Sequence, residues 1–148
     1  MKRALFLLSF ILSFTCLPAQ FTGSGTYADP YSGGTLTSLM TWSSSKIYVS
    51  GDLTIGTPSV AGHLSIDPGV TVVFLTAGSD LIFTGLGMLT AEGAPTQKIT
   101  FTADYDDDGN YGESGETWGH VSFQSMGSAE ASALSYCHFE YGYSVGAG

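Results

Sequence analysis

Residues 63–74, with the sequence HLSIDPGVTVVF, hold two short apolar runs on either side of the turn Asp67-Pro68-Gly69. In the first run, Leu64-Ser65-Ile66, a small polar residue separates two large apolar ones, which is typical of a strand with one face in the core. Triplets of the same type recur along the chain at Leu53-Thr54-Ile55, Ile99-Thr100-Phe101 and Val121-Ser122-Phe123. This pattern predicts an all-β fold made of many short strands.

Nine strands are predicted from runs of β-branched and aromatic residues that lie between turn sequences. They are Ile47–Val49, Leu53–Ile55, Leu64–Ile66, Val70–Leu75, Leu81–Phe83, Met88–Thr90, Ile99–Thr102, Val121–Phe123 and Leu134–Tyr141. The apolar triplets recur at irregular intervals, and the chain has one asparagine and no Asn-Gly pair for a tight hairpin. We predict a solenoid rather than a β-sandwich, because a chain that coils around one axis tolerates loops of variable length.

Six segments with these features resemble the coils of bacterial secreted surface proteins that fold as a right-handed parallel β-helix, the pectate-lyase-like fold. They are Gly51–Ile55, His63–Phe74, Leu89–Gly93, Lys98–Thr102, Trp118–Phe123 and Leu134–Gly142. The resemblance implies parallel β-helix coils over residues 46–148, after an irregular lead-in or cap at residues 20–45. Because this fold serves adhesins, glycan binders and polysaccharide enzymes, the resemblance implies a fold and not one function.

Residues 1–19 have the features of a secretory signal peptide. Lys2-Arg3 precedes an apolar run from Ala4 to Leu17, and Ala19 is a small residue suited to cleavage. A membrane anchor would need about 20 apolar residues. We therefore expect cleavage, export to the cell surface or the medium, and no membrane span in the mature chain.

The charge of the chain restricts its partners. It has 13 acidic and four basic side chains, for a net charge of −9. Loss of residues 1–19 would remove Lys2 and Arg3 and leave Lys46 and Lys98 as the only basic side chains. Since two lysines among 13 acids cannot neutralise a series of phosphates, nucleic acid and anionic membrane surfaces are excluded as partners.

The last predicted strand is followed only by Gly142–Gly148, which contain no segment suited to cap a solenoid. An uncapped coil exposes apolar core and unpaired strand edges. We therefore expect either that these residues are the N-terminal part of a longer protein or that the open coil end mediates self-association. After loss of Cys16, Cys137 is expected to be a small buried side chain rather than a disulfide partner.

Residues 104–116, which we call the acidic loop, contain six of the 13 acids. Asp104, Asp106 and Asp108 take positions 1, 3 and 5, and Gly109 takes position 6, in a pattern similar to the EF-hand calcium loop. Oxygen ligands that alternate along a turning backbone can converge on one cation. We predict a Ca²⁺ site whose ligands are Asp104, Asp106, Asp108, Asn110, Glu113 and Glu116.

Two features of the acidic loop depart from an EF-hand. Position 12, where the bidentate acid belongs, is Gly115, and Glu116 follows one residue later. No helix is predicted on either side of the loop. A solvated acidic loop between the Ile99 and Val121 strands is therefore the alternative to a metal site.

The aromatic residues divide into two predicted groups. Tyr105, Tyr111 and Trp118 are predicted to contact glycans, because exposed rings can stack on sugars. An interior stack is predicted for five phenylalanines, Phe74, Phe83, Phe101, Phe123 and Phe139.

The sequence predicts an exported structural, adhesive or glycan-binding module, with extracellular polysaccharide or cell-surface components as partners. The alternative is the N-terminal part of a polysaccharide lyase or hydrolase whose catalytic residues lie beyond residue 148. Hydrolysis needs two carboxylates that face one bond, and the acids outside the acidic loop are scattered, among them Asp52, Asp67, Asp80, Glu92, Glu130 and Glu140. The histidines, His63, His120 and His138, lack the spacing of a zinc site and are expected on strand surfaces.

Overall fold

The structure, a computed structural model, describes residues 20–127 and 131–143, so the predicted signal peptide lies outside the described residues. Within these ranges the chain forms short strands and one 3₁₀ turn at Glu113–Gly115, with no α-helix. The strands are β1 (Phe21–Thr22), β2 (Gly33–Leu36), β3 (Leu39–Trp42), β4 (Lys46–Val49), β5 (Leu53–Ile55), β6 (Gly62–Ile66), β7 (Thr71–Phe74), β8 (Leu81–Thr84), β9 (Gly87–Glu92), β10 (Ile99–Ala103), β11 (Val121–Gln124), β12 (Ala133–Ser135) and β13 (Cys137–Phe139).

Strands that lie three apart along the chain are neighbours in space. The first sheet has the order β1-β2-β5-β8-β11, the second β3-β6-β9-β12 and the third β4-β7-β10-β13. Every pair is parallel except β1 with β2. The described chain therefore coils around one axis, with one strand of each sheet in every coil. The prediction of an all-β fold with parallel, solenoid-type sheets is confirmed.

Side chains that point into the solenoid stack from one coil to the next. In the first sheet the stacked positions are Leu36, Ile55, Phe83 and Phe123. In the third sheet they are Ile47, Val72, Phe101 and Phe139. The predicted interior position is confirmed for Phe74, Phe83 and Phe101, which are fully buried. It is wrong for Phe123 and Phe139, which stack on Phe83 and Phe101 but leave their other faces exposed.

The N-terminal end of the solenoid is covered. Trp42 is 1% exposed and stacks on Tyr31 at 5.6 Å between ring centroids, while Phe21 packs edge-on against Tyr31. The backbone of Tyr31 also bonds to β4, because its N–H donates to the Tyr48 carbonyl and its carbonyl accepts from Ser50. Residues 20–32 therefore cover the inward-facing Trp42 of the first coil, and we call them the cap.

The first coil begins earlier than residue 46. Within the segment expected to be irregular, β2 and β3 already belong to the parallel sheets. Each of them contributes one deeply buried residue, Leu36 at 0% and Trp42 at 1% exposure. The other positions are Gly, Thr, Leu39 and Met40, so the apolar triplet that marked later strands is missing here.

The run Leu134–Tyr141, predicted as a single strand, is divided in two. Tyr136 has a φ of 48°, and this left-handed residue separates β12 from β13. The break has a geometric cause, because a coil with three sides must turn a corner between consecutive strands. The prediction of one continuous strand is therefore wrong.

Two features fix the corners between strands, namely a close backbone approach that only glycine permits and hydrogen bonds from aspartate side chains to the next coil. At one corner, a Cβ on Gly87 would overlap the Ile55 carbonyl oxygen, so only glycine fits there. At another, Asp52 Oδ1 accepts the N–H of Asp80 at 3.0 Å, and Asp80 Oδ1 accepts the N–H of His120 at 2.8 Å. Asp52 and Asp80 thus bond successive coils to each other.

In the described ranges no helix is long and apolar enough to cross a membrane.

Candidate metal centre

The acidic loop leaves the solenoid at the end of β10 and returns beside β11. The N–H of Asp104 donates to the Phe74 carbonyl at 3.2 Å, which continues the β10–β7 ladder by one residue. The N–H of Gly112 then donates to the Ala103 carbonyl at 2.9 Å. Residues 104–111 are therefore a closed excursion whose two ends lie side by side at the edge of the core.

Local hydrogen bonds turn the backbone of the loop so that its aspartates converge. Asp106 Oδ1 accepts the N–H of Asp108 at 3.3 Å, and Asp108 Oδ1 accepts the N–H of Asn110 at 2.8 Å. Asp104 Oδ2 accepts the N–H of Gly109 at 3.1 Å. Gly109 has a φ of 90°, a left-handed conformation that explains why glycine occupies this position.

The side chains of Asp104, Asp106 and Asp108 come together as the sequence predicted. One carboxylate oxygen from each lies within 4.8 Å of the other two. Two oxygens that share a Ca²⁺ at about 2.3–2.6 Å are at most about 5 Å apart, so this separation is compatible with one ion. Asp104 is fully buried, whereas Asp106 and Asp108 are exposed.

Two buried carboxylate oxygens in the loop have no hydrogen-bond partner. They are Asp104 Oδ1, on a residue that is 0% exposed, and Glu116 Oε2, on a residue that is 8% exposed. The other oxygen of Glu116 accepts the N–H of Tyr105 at 2.8 Å. An unpaired buried carboxylate oxygen is costly, and a bound cation would remove that cost at Asp104.

The electrostatics of the loop favour a cation as well. The negative charge of Asp108 raises the pKa of the exposed Glu113, and a partial loss of hydration and the charges of Asp106, Glu116 and Asp104 raise that pKa further. The raised pKa of Glu113 therefore reflects the negative potential of the whole loop.

Asn110, the remaining predicted ligand, donates from Nδ2 to Asp108 Oδ2 at 2.9 Å.

The loop is attached to the first coil by Asp107, whose φ is 57°. Asp107 Oδ1 accepts from Lys46 Nζ at 2.7 Å and from the Tyr48 hydroxyl at 2.9 Å. The hydrogen bond to Lys46 holds the pKa of Asp107 below its usual value and raises the pKa of Lys46. The Tyr27 hydroxyl donates to the Asp106 carbonyl at 3.2 Å. Together these hydrogen bonds join the cap, the first coil and the acidic loop.

The three predicted glycan contacts lie in different environments. Trp118 is 2% exposed, stacks on Phe74 at 4.4 Å and donates from Nε1 to the Glu140 carbonyl at 2.6 Å. This burial contradicts a sugar contact at Trp118. Tyr105 is half-buried, and its hydroxyl bonds to the Thr117 carbonyl at 2.6 Å and accepts from the Thr117 N–H. Tyr111 is half-buried and lies 5.9 Å from Lys46 Nζ in a cation–π contact.

The histidines and the cysteine lie at separate places along the solenoid. His63 Nε2 bonds to Thr90 Oγ1 at 2.9 Å, and His138 Nδ1 lies 3.2 Å from Glu140 Oε1. Cys137 is half-buried, its Sγ donates to the Ala91 carbonyl at 3.1 Å, and burial raises the pKa of its thiol. Each of these side chains bonds within the solenoid itself.

No family model, curated protein or solved structure matches this chain. The function must therefore be argued from the residues of the loop and of the solenoid.

Sequence reasoning missed the anchor of the loop. Lys46 and Tyr48 contact Asp107 across 61 and 59 positions of sequence. One signal was present, because Lys46 is one of only three lysines in a chain with 13 acids, and an acid is therefore the expected partner for it. Choosing among 13 acids requires the knowledge that β4 and β10 flank the same strand, β7.

Proposed function

We propose that this chain is an exported structural module, a right-handed parallel β-helix, whose acidic loop binds Ca²⁺. The observation that carries the proposal is the buried, unpartnered Oδ1 of Asp104 beside the carboxylates of Asp106 and Asp108. Calcium takes six to eight oxygen ligands and tolerates irregular geometry, so carboxylates, loop carbonyls and water can complete the shell.

Calcium would act here as a structural cross-link. The loop contains five acids besides Asp107, and their mutual repulsion opposes a closed conformation. A bound divalent ion offsets that repulsion and fixes the loop over Lys46 of the first coil. A site of this kind suits extracellular modules, which bind calcium with a Kd of about 0.1–1 mM.

The export and handedness parts of the proposal rest on the sequence and on general rules. Residues 1–19 have the basic start and apolar core of a signal peptide. Parallel crossover connections are right-handed in about 98% of cases, which supports the right-handed coil. The acidic outer surface and the half-exposed ring of Tyr111 suit contact with extracellular polysaccharide or cell-surface components.

The calcium site is tested by titration of the exported chain by calorimetry, with the double variant Asp106→Asn and Asp108→Asn. Asparagine keeps the side-chain oxygen that accepts the local backbone hydrogen bonds, so the loop retains its turns while it loses two charges. The wild type should bind with a Kd of about 0.1–1 mM, and the double variant should show no binding. Saturation to ten times Kd should stabilise the wild type by about 1.4 kcal/mol.

The matched control is Asp67→Asn, which removes an exposed carboxylate from a turn outside the loop. It should bind calcium like the wild type. Absence of heat at millimolar calcium, or equal affinity in the double variant, would show that the acidic loop is a solvated surface loop.

A further inference from the structure

The third sheet carries a buried row of side chains on the side that faces away from the core. Tyr48, Val73 and Thr102 are paired in register and alternate with the inward residues of β4, β7 and β10. They are 8%, 0% and 0% exposed, although neither Tyr48 nor Val73 belongs to the hydrophobic core. Other residues therefore cover this row from outside, and two of them contact Tyr48, namely Tyr27 of the cap and Asp107 of the acidic loop.

Tyr48 is the residue at which the cap, the first coil and the acidic loop meet. Its ring packs edge-on against the Tyr27 ring at 5.6 Å between centroids, and its hydroxyl donates to Asp107 Oδ1 at 2.9 Å. Its backbone also bonds to the cap twice, because its N–H donates to the Gly25 carbonyl and its carbonyl accepts from the N–H of Tyr31. Displacement of the cap would therefore remove contacts from the residue that holds the acidic loop.

The same contacts reach the proposed calcium ligands through the backbone of the acidic loop. The Tyr27 hydroxyl donates to the carbonyl of Asp106, whose carboxylate is one of the proposed ligands. Asp107, which Tyr48 holds, lies in sequence between the ligands Asp106 and Asp108. Its φ of 57° is uncommon outside glycine. Hydrogen bonds from the cap and the first coil therefore fix the backbone between two of the ligands.

We propose that calcium binding and docking of the cap on the first coil are coupled, with Tyr27 and Tyr48 as positioning residues of the calcium site. This inference rests on the proposed calcium function of the acidic loop. A loop held in its binding conformation before the ion arrives binds more tightly, because less ordering accompanies binding. The docked cap therefore raises the calcium affinity, and by reciprocity bound calcium holds the cap in place.

Titration of the exported chain with calcium chloride by calorimetry tests the effect of the cap on the site. Tyr27→Phe and Tyr48→Phe each remove one hydroxyl, while the ring and the net charge stay the same. Each change should raise the Kd about threefold to tenfold, the factor expected for the loss of one hydrogen bond.

The matched control is Tyr136→Phe, which removes a hydroxyl away from the loop. The Tyr136 carbonyl accepts from the N–H of Ile99 at the start of β10, and the acidic loop follows the other end of that strand. This variant should bind calcium with the wild-type Kd. Thermal unfolding checks that all the variants are folded.

Hydrogen exchange of the Tyr31 and Tyr48 amides, followed by NMR with and without saturating calcium, tests the effect of the site on the cap. Both amides donate across the contact between the cap and the first coil. In the wild type, calcium should slow their exchange by about the factor in affinity that the double variant Tyr27→Phe and Tyr48→Phe loses, because coupling is reciprocal. In the double variant, calcium should leave the exchange of the two amides unchanged. Hydroxyls with a structural role alone would change this exchange equally with and without calcium.

Weaker calcium binding in both tyrosine variants, together with slower exchange of the cap in calcium, supports the coupling. Wild-type affinity in the double variant overturns the coupling and leaves the calcium site standing. Equal exchange of the wild-type cap with and without calcium overturns it as well. If neither the wild type nor Tyr136→Phe binds calcium, the calcium site and the coupling both fail, so the two failures are distinguishable.

Discussion

The first and the last described coils are built from the same type of strand and differ in what covers them within the described residues. At the N-terminal end, Trp42 is 1% exposed because Phe21 and Tyr31 cover it. In the last described coil, Phe123 and Phe139 also point inward and are 43% and 45% exposed among the described residues. Inward orientation alone therefore does not bury a side chain in this architecture.

The difference shows which part of the sequence provides the burial. In a solenoid each coil is covered by the next, so a terminal coil needs a segment that is not itself a coil. Residues 20–32 have that role here, through β1 and the backbone bonds of Tyr31 to β4. The aromatic residues of this segment, Phe21 and Tyr31, are what keeps Trp42 of the first coil out of water.

The largest effect is expected at the capped end. Trp42→Ala should lower the free energy of unfolding by about 3–5 kcal/mol, because it leaves a cavity beneath Tyr31 and Phe21. Denaturant unfolding of the wild type and the variant measures the change. A loss below 1 kcal/mol, on the order of an exposed residue, would show that the cap does not bury Trp42 in solution.

A smaller effect is expected from a similar change in the last described coil. Phe139→Ala should lower the free energy of unfolding by about 1–2 kcal/mol, since the residue is already 45% exposed. The remaining cost comes from its stack on Phe101 at 4.7 Å. A loss as large as that of Trp42→Ala would mean that Phe139 is covered in solution to the same degree as Trp42, and the comparison would fail.

The smallest effect concerns the contact that links the first coil to the acidic loop. Asp107→Asn should cost less than about 1 kcal/mol near neutral pH, because the pair with Lys46 is partly exposed to solvent. The pKa of Asp107 is lower in the folded chain than in the unfolded one. Its contribution is therefore complete above the unfolded value of about 3.9 and is lost as the pH falls through the folded value.

Unfolding curves of wild type and Asp107→Asn over a pH series measure this dependence. The difference in the free energy of unfolding should shrink below about pH 4. A constant difference across the series would mean that the charge of Asp107 does not contribute.

Much of the fold could be predicted because apolar-polar-apolar triplets mark strands with one buried face. Leu53–Ile55 was predicted with the bounds that the structure has. Gly33–Leu36 was missed, because a strand that stacks a single leucine into the core has no alternation to detect. Tyr136 was placed inside a strand, since nothing in its side chain signals a positive φ.

The acidic loop could be predicted in part for a similar reason. Asp104, Asp106 and Asp108 form a local pattern, and the local backbone brings them together. Glu116 was assigned as a ligand by its charge, while its burial and its bond to Tyr105 depend on how the loop folds against the core. Trp118 was assigned to the surface, because the sequence does not show which rings the last coils enclose.

The hydrogen bond between Gly112 and Ala103 has a further consequence for how such a chain can change. Since the two ends of the excursion over residues 104–111 meet at 2.9 Å, its length is independent of the strands on either side. The pairing of β11 with β8 continues in register after it, as if the insertion were absent. At this corner, evolution or protein design can therefore replace residues 104–111 with a loop of another sequence and other binding properties, while the strands of the solenoid stay unchanged.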